Sequence, residues 1–286
     1  MNQEIINLFD EYTHKPLSRS EFMQRLTKLT GGTAAALAVL PLLEVNYSNA
    51  VTIAEDDEDI ITEDVSFEGD GAVMKAYLAK PKKINGKIGT VLVIHENRGL
   101  NPHIKDVTRR VAKAGYIALG VDALSPFGGT PSNEDEARGL FGKLDAQKNL
   151  NNFLKGLDYL RSLSSSNGKT ACVGFCWGGG MANQLAVNSP KLNAAVAYYG
   201  RQAEAVDVPK IKAALQLHYG GLDERVNAGI PAYEAALKSA GIKHEIYIYE
   251  GANHAFNNDT APTRYNPEAA KLAWERTLRL FKETIS

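Results

Sequence analysis

Cys176 stands at the centre of Gly174-Phe175-Cys176-Trp177-Gly178-Gly179, behind the apolar run Thr170 to Phe175 and ahead of a segment of helical character. A thiol attacks a carbonyl only as its thiolate, which the partial positive charge at a helix N-terminus favours. Glycines two residues before and after leave room where strand and helix backbones crowd a sharp turn, and the Trp177 backbone N–H then faces a developing oxyanion. By itself the pattern is ambiguous, because a buried cysteine is ordinarily a small hydrophobe. Two residues further along the chain give it weight. Asp223 lies in the glycine-punctuated loop Gly220 to Val226, and His254 in Glu250 to Phe256, each just past an apolar run. Such a histidine serves as general base on the thiol, and the aspartate fixes its tautomer. Glu224 is the alternative carboxylate, although the D-x-x-V spacing favours Asp223. His218, His244 and Cys172 fall inside strand-like runs and read as structural.

These residues need elements to hold them. Short apolar runs at Thr90 to His95, Tyr116 to Val121, Thr170 to Phe175, Ala194 to Tyr199, Ala213 to Tyr219 and His244 to Tyr249 alternate with helix-period segments. Ile104, Val107 and Val111 mark one helix face, and Phe153, Leu157 and Leu160 another. The alternation predicts an α/β fold with a mostly parallel central sheet and helices on both faces. Val65 to Phe67 and Ala72 to Ala79 read as an entry hairpin turning at Gly69 to Gly71. Nucleophile, acid and histidine after successive strands is the order of the α/β-hydrolase fold. In that fold the second oxyanion donor comes from the strand ending at His95, which nominates the backbone of Asn97. Glu96 sits beside it. A carboxylate near a thiol opposes ionisation, so Glu96 reads either as a group that moves or accepts the proton, or as a surface glutamate opening a helix. The loop Ser125 to Asn133 lies beyond a strand's C-terminal end, where open sheets bind ligands, and with Tyr199 and Asn258 its Phe127 is a candidate substrate contact.

Residues 1–60 are set apart as an extension from the catalytic domain at 61–286. Arg19, Arg25 and Lys28 precede the apolar run Thr33 to Leu43, the charged-then-apolar order of an export signal, with small residues at Ser48 and Ala50 for cleavage. The stretch Ser18 to Met23 is similar to a twin-arginine motif, but Ser20 replaces its second arginine. The run is too short for a stable membrane span, which needs about 20 residues. Periplasmic export is one reading; a cytoplasmic chain with a packed arm is the other, since Ile5, Ile6, Phe9 and Tyr12 have helical spacing. The acidic run Glu55 to Asp59 reads as a linker.

With 32 basic and 33 acidic residues and a net charge of −1, the chain offers no footprint for nucleic acid. Its only two cysteines, Cys172 and Cys176, make no disulfide framework and lack the second pair of a cysteine zinc site, so no metal or organic cofactor is expected. The sequence leaves oligomeric state open.

His95 to Asn101 (HENRGLN), Gly174 to Gly179 (GFCWGG), Tyr198 to Gly200 (YYG), Gly220 to Val226 and Gly251 to Phe256 (GANHAF) together resemble the dienelactone hydrolase family over roughly residues 65 to 285. The resemblance implies hydrolysis of a small ester or lactone by a Cys176, Asp223, His254 triad, with Glu96 holding the resting thiol and taking its proton. It also implies arginines for the dienelactone carboxylate, one in the loop after the Tyr116 to Val121 strand and one soon after the histidine. Neither Ser125 to Asn133 nor Phe256 to Thr260 contains one, although Arg98 or Arg201 can stand in. A lost charge-assisted pair costs about 1.5 to 3 kcal/mol. Two alternatives stand beside this reading: a carboxylesterase for small neutral esters, or a non-hydrolytic thiol sensor or binding protein.

Overall fold

The computed structural model describes residues 1–47 and 52–286. Ser48 and Ala50, the expected cleavage residues, lie outside the described residues. Eight strands form one sheet: β1 (Ile60–Glu68), β2 (Val73–Pro81), β3 (Ile88–Ile94), β4 (Ile117–Val121), β5 (Ser166–Phe175), β6 (Ala194–Tyr198), β7 (Ala214–Gly220) and β8 (His244–Tyr249). Their order is β1-β2-β4-β3-β5-β6-β7-β8. β1 and β2 pair antiparallel, β2 is antiparallel to β4, and every other pairing is parallel. Parallel strands buried on both faces read as continuous apolar runs, which is why β3 to β7 are legible in the sequence. β1 is not. It is nine residues long, and only Ile60 is buried, so the expected Val65 to Phe67 captures part of its second half and misses the rest.

Alternate side chains feed two cores. Leu92 and Ile94 of β3 join Phe153 and Leu157 of α6 (Ala146–Ser162) and Leu185 of α7 (Trp177–Asn188). On the other face, Val91 and Val93 join Ile104 and Val107 of α4 (Pro102–Lys113) and Leu280 and Phe281 of α10 (Pro267–Ile285). Helices α4, α6 and α10 each begin on a side-chain cap: Asn101 for α4, Asp145 for α6 and Asn266 for α10. α7 has no side-chain cap, because Cys176 occupies that position. Between α4 and α6 lies the short α5 (Glu134–Phe141), and α8 (Glu224–Asn227) and α9 (Ile230–Ser239) come after β7.

The first 43 residues fold into three helices, α1 (Gln3–His14), α2 (Arg19–Thr30) and α3 (Thr33–Leu43). Asn2 caps α1, and Ser18 with Glu21 forms a capping box on α2. Phe9, Tyr12, Phe22, Leu26, Ala36 and Leu43 bury one another in a separate small core. Tyr12 stacks on Phe22 with centroids 4.4 Å apart. Among the described residues no single helix is long and apolar enough to cross a membrane; α2 and α3 pass that test only as a pair, bent by 111°. Asp57 and Asp59 of the acidic run hold Lys113 at 2.8 and 2.7 Å, which fastens this segment to the end of α4.

Phe22 is fully buried where these helices meet. Phe22→Ala should cost about 3 to 5 kcal/mol of local stability. Hydrogen exchange should then quicken throughout α1 and α2 and stay slow in β3 and β5.

Candidate active site

β5 runs into α7 through a single strained residue. Cys176 has φ 55° and ψ −114°, a left-handed conformation that costs a side-chain-bearing residue about 1 to 3 kcal/mol. Its surroundings hold it there. A Cβ on Gly174 would lie 1.9 Å from the Gly178 carbonyl oxygen, and one on Gly178 would lie 2.4 Å from that of Ile94. The backbones of β5, α7 and β3 therefore touch, and the Cys176 N–H is locked to the Tyr198 carbonyl at 3.0 Å. Two more left-handed non-glycine residues, Tyr199 (φ 39°) and Ala255 (φ 62°), flank the same spot.

Asp223 caps α8 through the Val226 N–H, and its second carboxylate oxygen takes His254 Nδ1 at 2.6 Å. Burial raises the Asp223 carboxyl pKa, but the His254 bond and charge outweigh it and hold the group below the usual range. His254 Nε2 is buried with no hydrogen-bond partner. Glu224 points into solvent, leaving the carboxylate role at this position to Asp223. His218 lies inside β7 between Tyr249 Oη (2.8 Å) and Gln216 (3.0 Å), and burial lowers its pKa to about 3. Cys172 is wholly buried in β5 and its thiol is pushed up by that burial.

The partner of Cys176 is a residue that the motifs do not reveal. His14, at the end of α1, places Nε2 3.1 Å from Sγ. Its other ring nitrogen meets Asp10, 2.8 Å from the carbonyl and 3.1 Å from the carboxylate. Burial disfavours the imidazolium, yet the Cys176 thiolate and Asp10 together raise the His14 pKa. The spacing of Asp10 and His14 on one helix was the available signal; their contact with residue 176 was not. α1 is fastened over the site by several bonds. Asn97 donates to the Thr13 carbonyl (2.7 Å), Arg138 to the Tyr12 carbonyl (2.6 Å), and Tyr12 Oη to Asp135 (3.0 Å).

Glu96 is 7% exposed, which corrects the surface reading, and its carboxylate is bonded to Asn258 Nδ2 (2.9 Å) and Tyr199 Oη (3.4 Å). Burial opposes its ionisation, but His103, Arg264, Arg98 and His254 hold its pKa below the usual range. This cationic surround keeps Glu96 as a carboxylate while His14 takes the sulfur. Asn258 thus meets the site through Glu96, whereas the Tyr199 ring itself lies 4.9 Å from that of His254. Phe127 does not reach the site. Asp122 gathers the N–H groups of Leu124 (2.9 Å) and Thr130 (2.7 Å), curling the loop onto itself and leaving Phe127 41% exposed.

Cys176, Trp177, Asn97, His14, Tyr199 and His254 line one cavity of about 610 Å³. Its charged wall consists of Lys15, Arg138, Arg201 and Arg225 against one carboxylate, Asp135. Arg264, ten residues after His254, is buried with its Nε unpaired and lies over Phe9 at 5.3 Å.

The model of the dienelactone hydrolase family matches residues 74–285. This chain belongs to that family. A protein of Escherichia coli O157:H7 named "Putative carboxymethylenebutenolidase" is 34% identical over 250 residues, 82% of this chain and 92% of that protein. A crystal structure titled "Putative Dienelactone Hydrolase", from Klebsiella pneumoniae, superposes with a TM-score of 0.71 at 28% identity over 78% of this chain and 98% of its own. A dienelactone hydrolase-like promiscuous phosphotriesterase from metagenomic libraries has the same fold, with a TM-score of 0.71 at 23% identity over 80% of this chain and all of its own. The chain is a dienelactone hydrolase-like hydrolase of the α/β-hydrolase fold, acting on a small molecule.

Asp259 anchors the loop after His254 by pairing with Arg110 and, at 3.0 Å, with His103. Burial raises its pKa, but these partners win and bring it down to about 2. A depressed carboxyl contributes stability above its unfolded pKa and loses it as pH falls through the folded value. Asp259→Asn should cost about 1 to 2 kcal/mol at pH 7, allowing for solvent screening. In urea titrations the gap from the parent should close between about pH 4 and pH 2.

Proposed function

We propose that this hydrolase cleaves a small ester or lactone with Cys176 as nucleophile and Asp223, His254 as its acid and histidine. The observation that carries this reading is the strained turn at Cys176 facing the same cavity as the Asp223–His254 pair. Left-handed backbone at a side-chain-bearing residue persists only where its surroundings enforce it, and such strain clusters at reactive positions.

In the resting state Cys176 shares its proton with His14. The thiolate attacks the carbonyl carbon, and the N–H groups of Trp177 and Asn97 receive the oxyanion. His14, which took the thiol proton, gives it to the leaving oxygen, and the unpaired Nε2 of His254 then takes a proton from the water that cleaves the thioester and returns it to the departing sulfur. Asp223 holds the ring in the tautomer this requires. Glu96 serves as a fixed charge that positions Tyr199 and Asn258.

The cavity wall carries Lys15, Arg138, Arg201 and Arg225, each paired with a carboxylate (Glu11, Asp135, Glu204 and Asp10), and weak, solvent-reached pairs of this kind can open to a substrate that carries negative charge near its acyl group. This supports a carboxylate-bearing ester or lactone over the neutral esters that the two arginine-free loops suggest. Exposed cations act at a distance, so the preference is salt-sensitive.

Cys176→Ala should abolish ester turnover, and His254→Ala should lower kcat by about three to four decades. Unchanged turnover in Cys176→Ala would sink the cysteine reading, and a parent chain that turns over none of these esters would favour a thiol sensor or binding protein. A carboxylate-bearing aryl ester should show a lower KM than its neutral analogue, with the advantage shrinking as salt is raised. Equal or better turnover of the neutral ester would instead identify a neutral carboxylesterase.

A further inference from the structure

Three side chains from distant parts of the chain converge on one point. One ring nitrogen each of His14 and His254, together with Cys176 Sγ, lie within 4.8 Å of one another. Hydrolysis by a cysteine nucleophile needs only one histidine beside the thiol. Here two histidines approach it, their rings edge to face with centroids 4.6 Å apart. His254 Nε2 is buried and unpaired, and the residue is 5% exposed. Each imidazole is also held from behind by an oxygen: the Asp10 carbonyl on His14 Nδ1 at 2.8 Å, with the Asp10 carboxylate 3.1 Å away, and the Asp223 carboxylate on His254 Nδ1 at 2.6 Å. A carboxylate or backbone carbonyl fixing the far nitrogen is the usual support of a metal-binding histidine, because it sets the tautomer and raises the basicity of the nitrogen that faces the ion.

We propose that His14, Cys176 and His254 form a binding site for a thiophilic divalent cation of the zinc class, with the N-terminal arm supplying one ligand. Thiolate and imidazole together are the donor set zinc takes, commonly as three protein ligands and one open position. A tetrahedral ion with Zn–N of about 2 Å and Zn–S of about 2.3 Å holds nitrogen and sulfur about 3.5 Å apart. The His14–Cys176 separation of 3.1 Å needs only a small opening to admit it. The cavity that Pro16 and Leu17 also line provides the fourth position for water. On binding, the sulfur lone pair goes to the ion, and the proton that Cys176 shares with His14 leaves to solvent. The ion ties α1 to the catalytic sheet and withholds the sulfur from acyl chemistry. Only this last consequence rests on the cysteine hydrolase reading; the site itself does not.

The test uses the full-length chain, freed of metal by chelator, titrated with Co²⁺ as a spectroscopic probe and with Zn²⁺ in competition with a chromophoric chelator. One equivalent of Co²⁺ should give a thiolate-to-cobalt band in the near ultraviolet, displaced by Zn²⁺. Cys176→Ser should remove the band. His14→Ala, and His254→Gln in an otherwise intact arm, should each weaken Zn²⁺ binding by at least about a hundredfold, and Asp10→Asn by about ten- to a hundredfold. Circular dichroism should show each variant folded. A chain that gives no thiolate band, or a His14→Ala variant that binds as tightly as the parent, overturns the site. Ester turnover should fall in step with Zn²⁺ occupancy and return with chelator. If the band forms in a chain that cleaves no ester with or without Zn²⁺, the metal site stands and the hydrolase reading fails.

Discussion

Backbone contact among β3, β5, β6 and α7 governs the rest of the molecule. Gly174 and Gly178 let β5 and α7 meet without side chains between them, while Gly179 and Gly200 bring α7 against the end of β6 with equally little space. With these surfaces in contact, the chain leaves β5 and enters α7 within one residue, and that residue takes a left-handed backbone. The stability lost there is recovered by the packing on either side. β3 and β5 are buried through both faces, and α7 lies against β5 and β6. The sheet thus serves to hold one sulfur at the positive end of a helix. Asp223 and His254 arrive at the same end of the sheet because β7 and β8 are parallel to β5, so the loops after them emerge together.

That logic explains how much of the molecule is legible in its sequence. Parallel strands buried on both faces advertise themselves as apolar runs, and positions such as Cys176, Asp223 and His254, each just past a strand, need only local spacing to be picked out. β1 fell short because an edge strand with one wet face carries little apolar signal. Phe127 was misplaced because its loop comes after a strand as a ligand-binding loop would, whereas the bonds that turn it away come from Asp122, outside the glycine-rich stretch. Glu96 was legible as a residue beside the oxyanion position, but its partners Asn258, Tyr199 and Arg264 come from two later segments, after β6 and after β8, and they decide where its charge goes. His14 was illegible for a stronger reason. It lies 162 residues from Cys176 in a stretch whose pattern served an export signal and a packed arm equally well.

The arm also changes the electrical character of the site. Arg98 and Arg264 approach Phe9 of α1 at 5.9 and 5.3 Å, so an aromatic face covers two guanidinium groups beside Glu96. Arg225 reaches Asp10 at 3.4 Å and Arg138 lies over the Tyr12 ring at 3.9 Å. Of these four, Arg138 and Arg225 line the cavity beside Cys176, and without α1 each would lose a partner. The arm therefore takes up part of the positive charge at the cavity wall.

His14 joins the fate of the N-terminus to the state of the sulfur. Proteolysis anywhere between His14 and β1, with loss of the arm, would take from Cys176 the imidazole that shares its proton, and from Arg138 and Asn97 the carbonyls they hold. Removal of a leader peptide and retention of the site as it stands are thus mutually exclusive: a processed chain would be a chemically different catalyst, with a wider mouth and a thiol left to the Asp223–His254 pair alone.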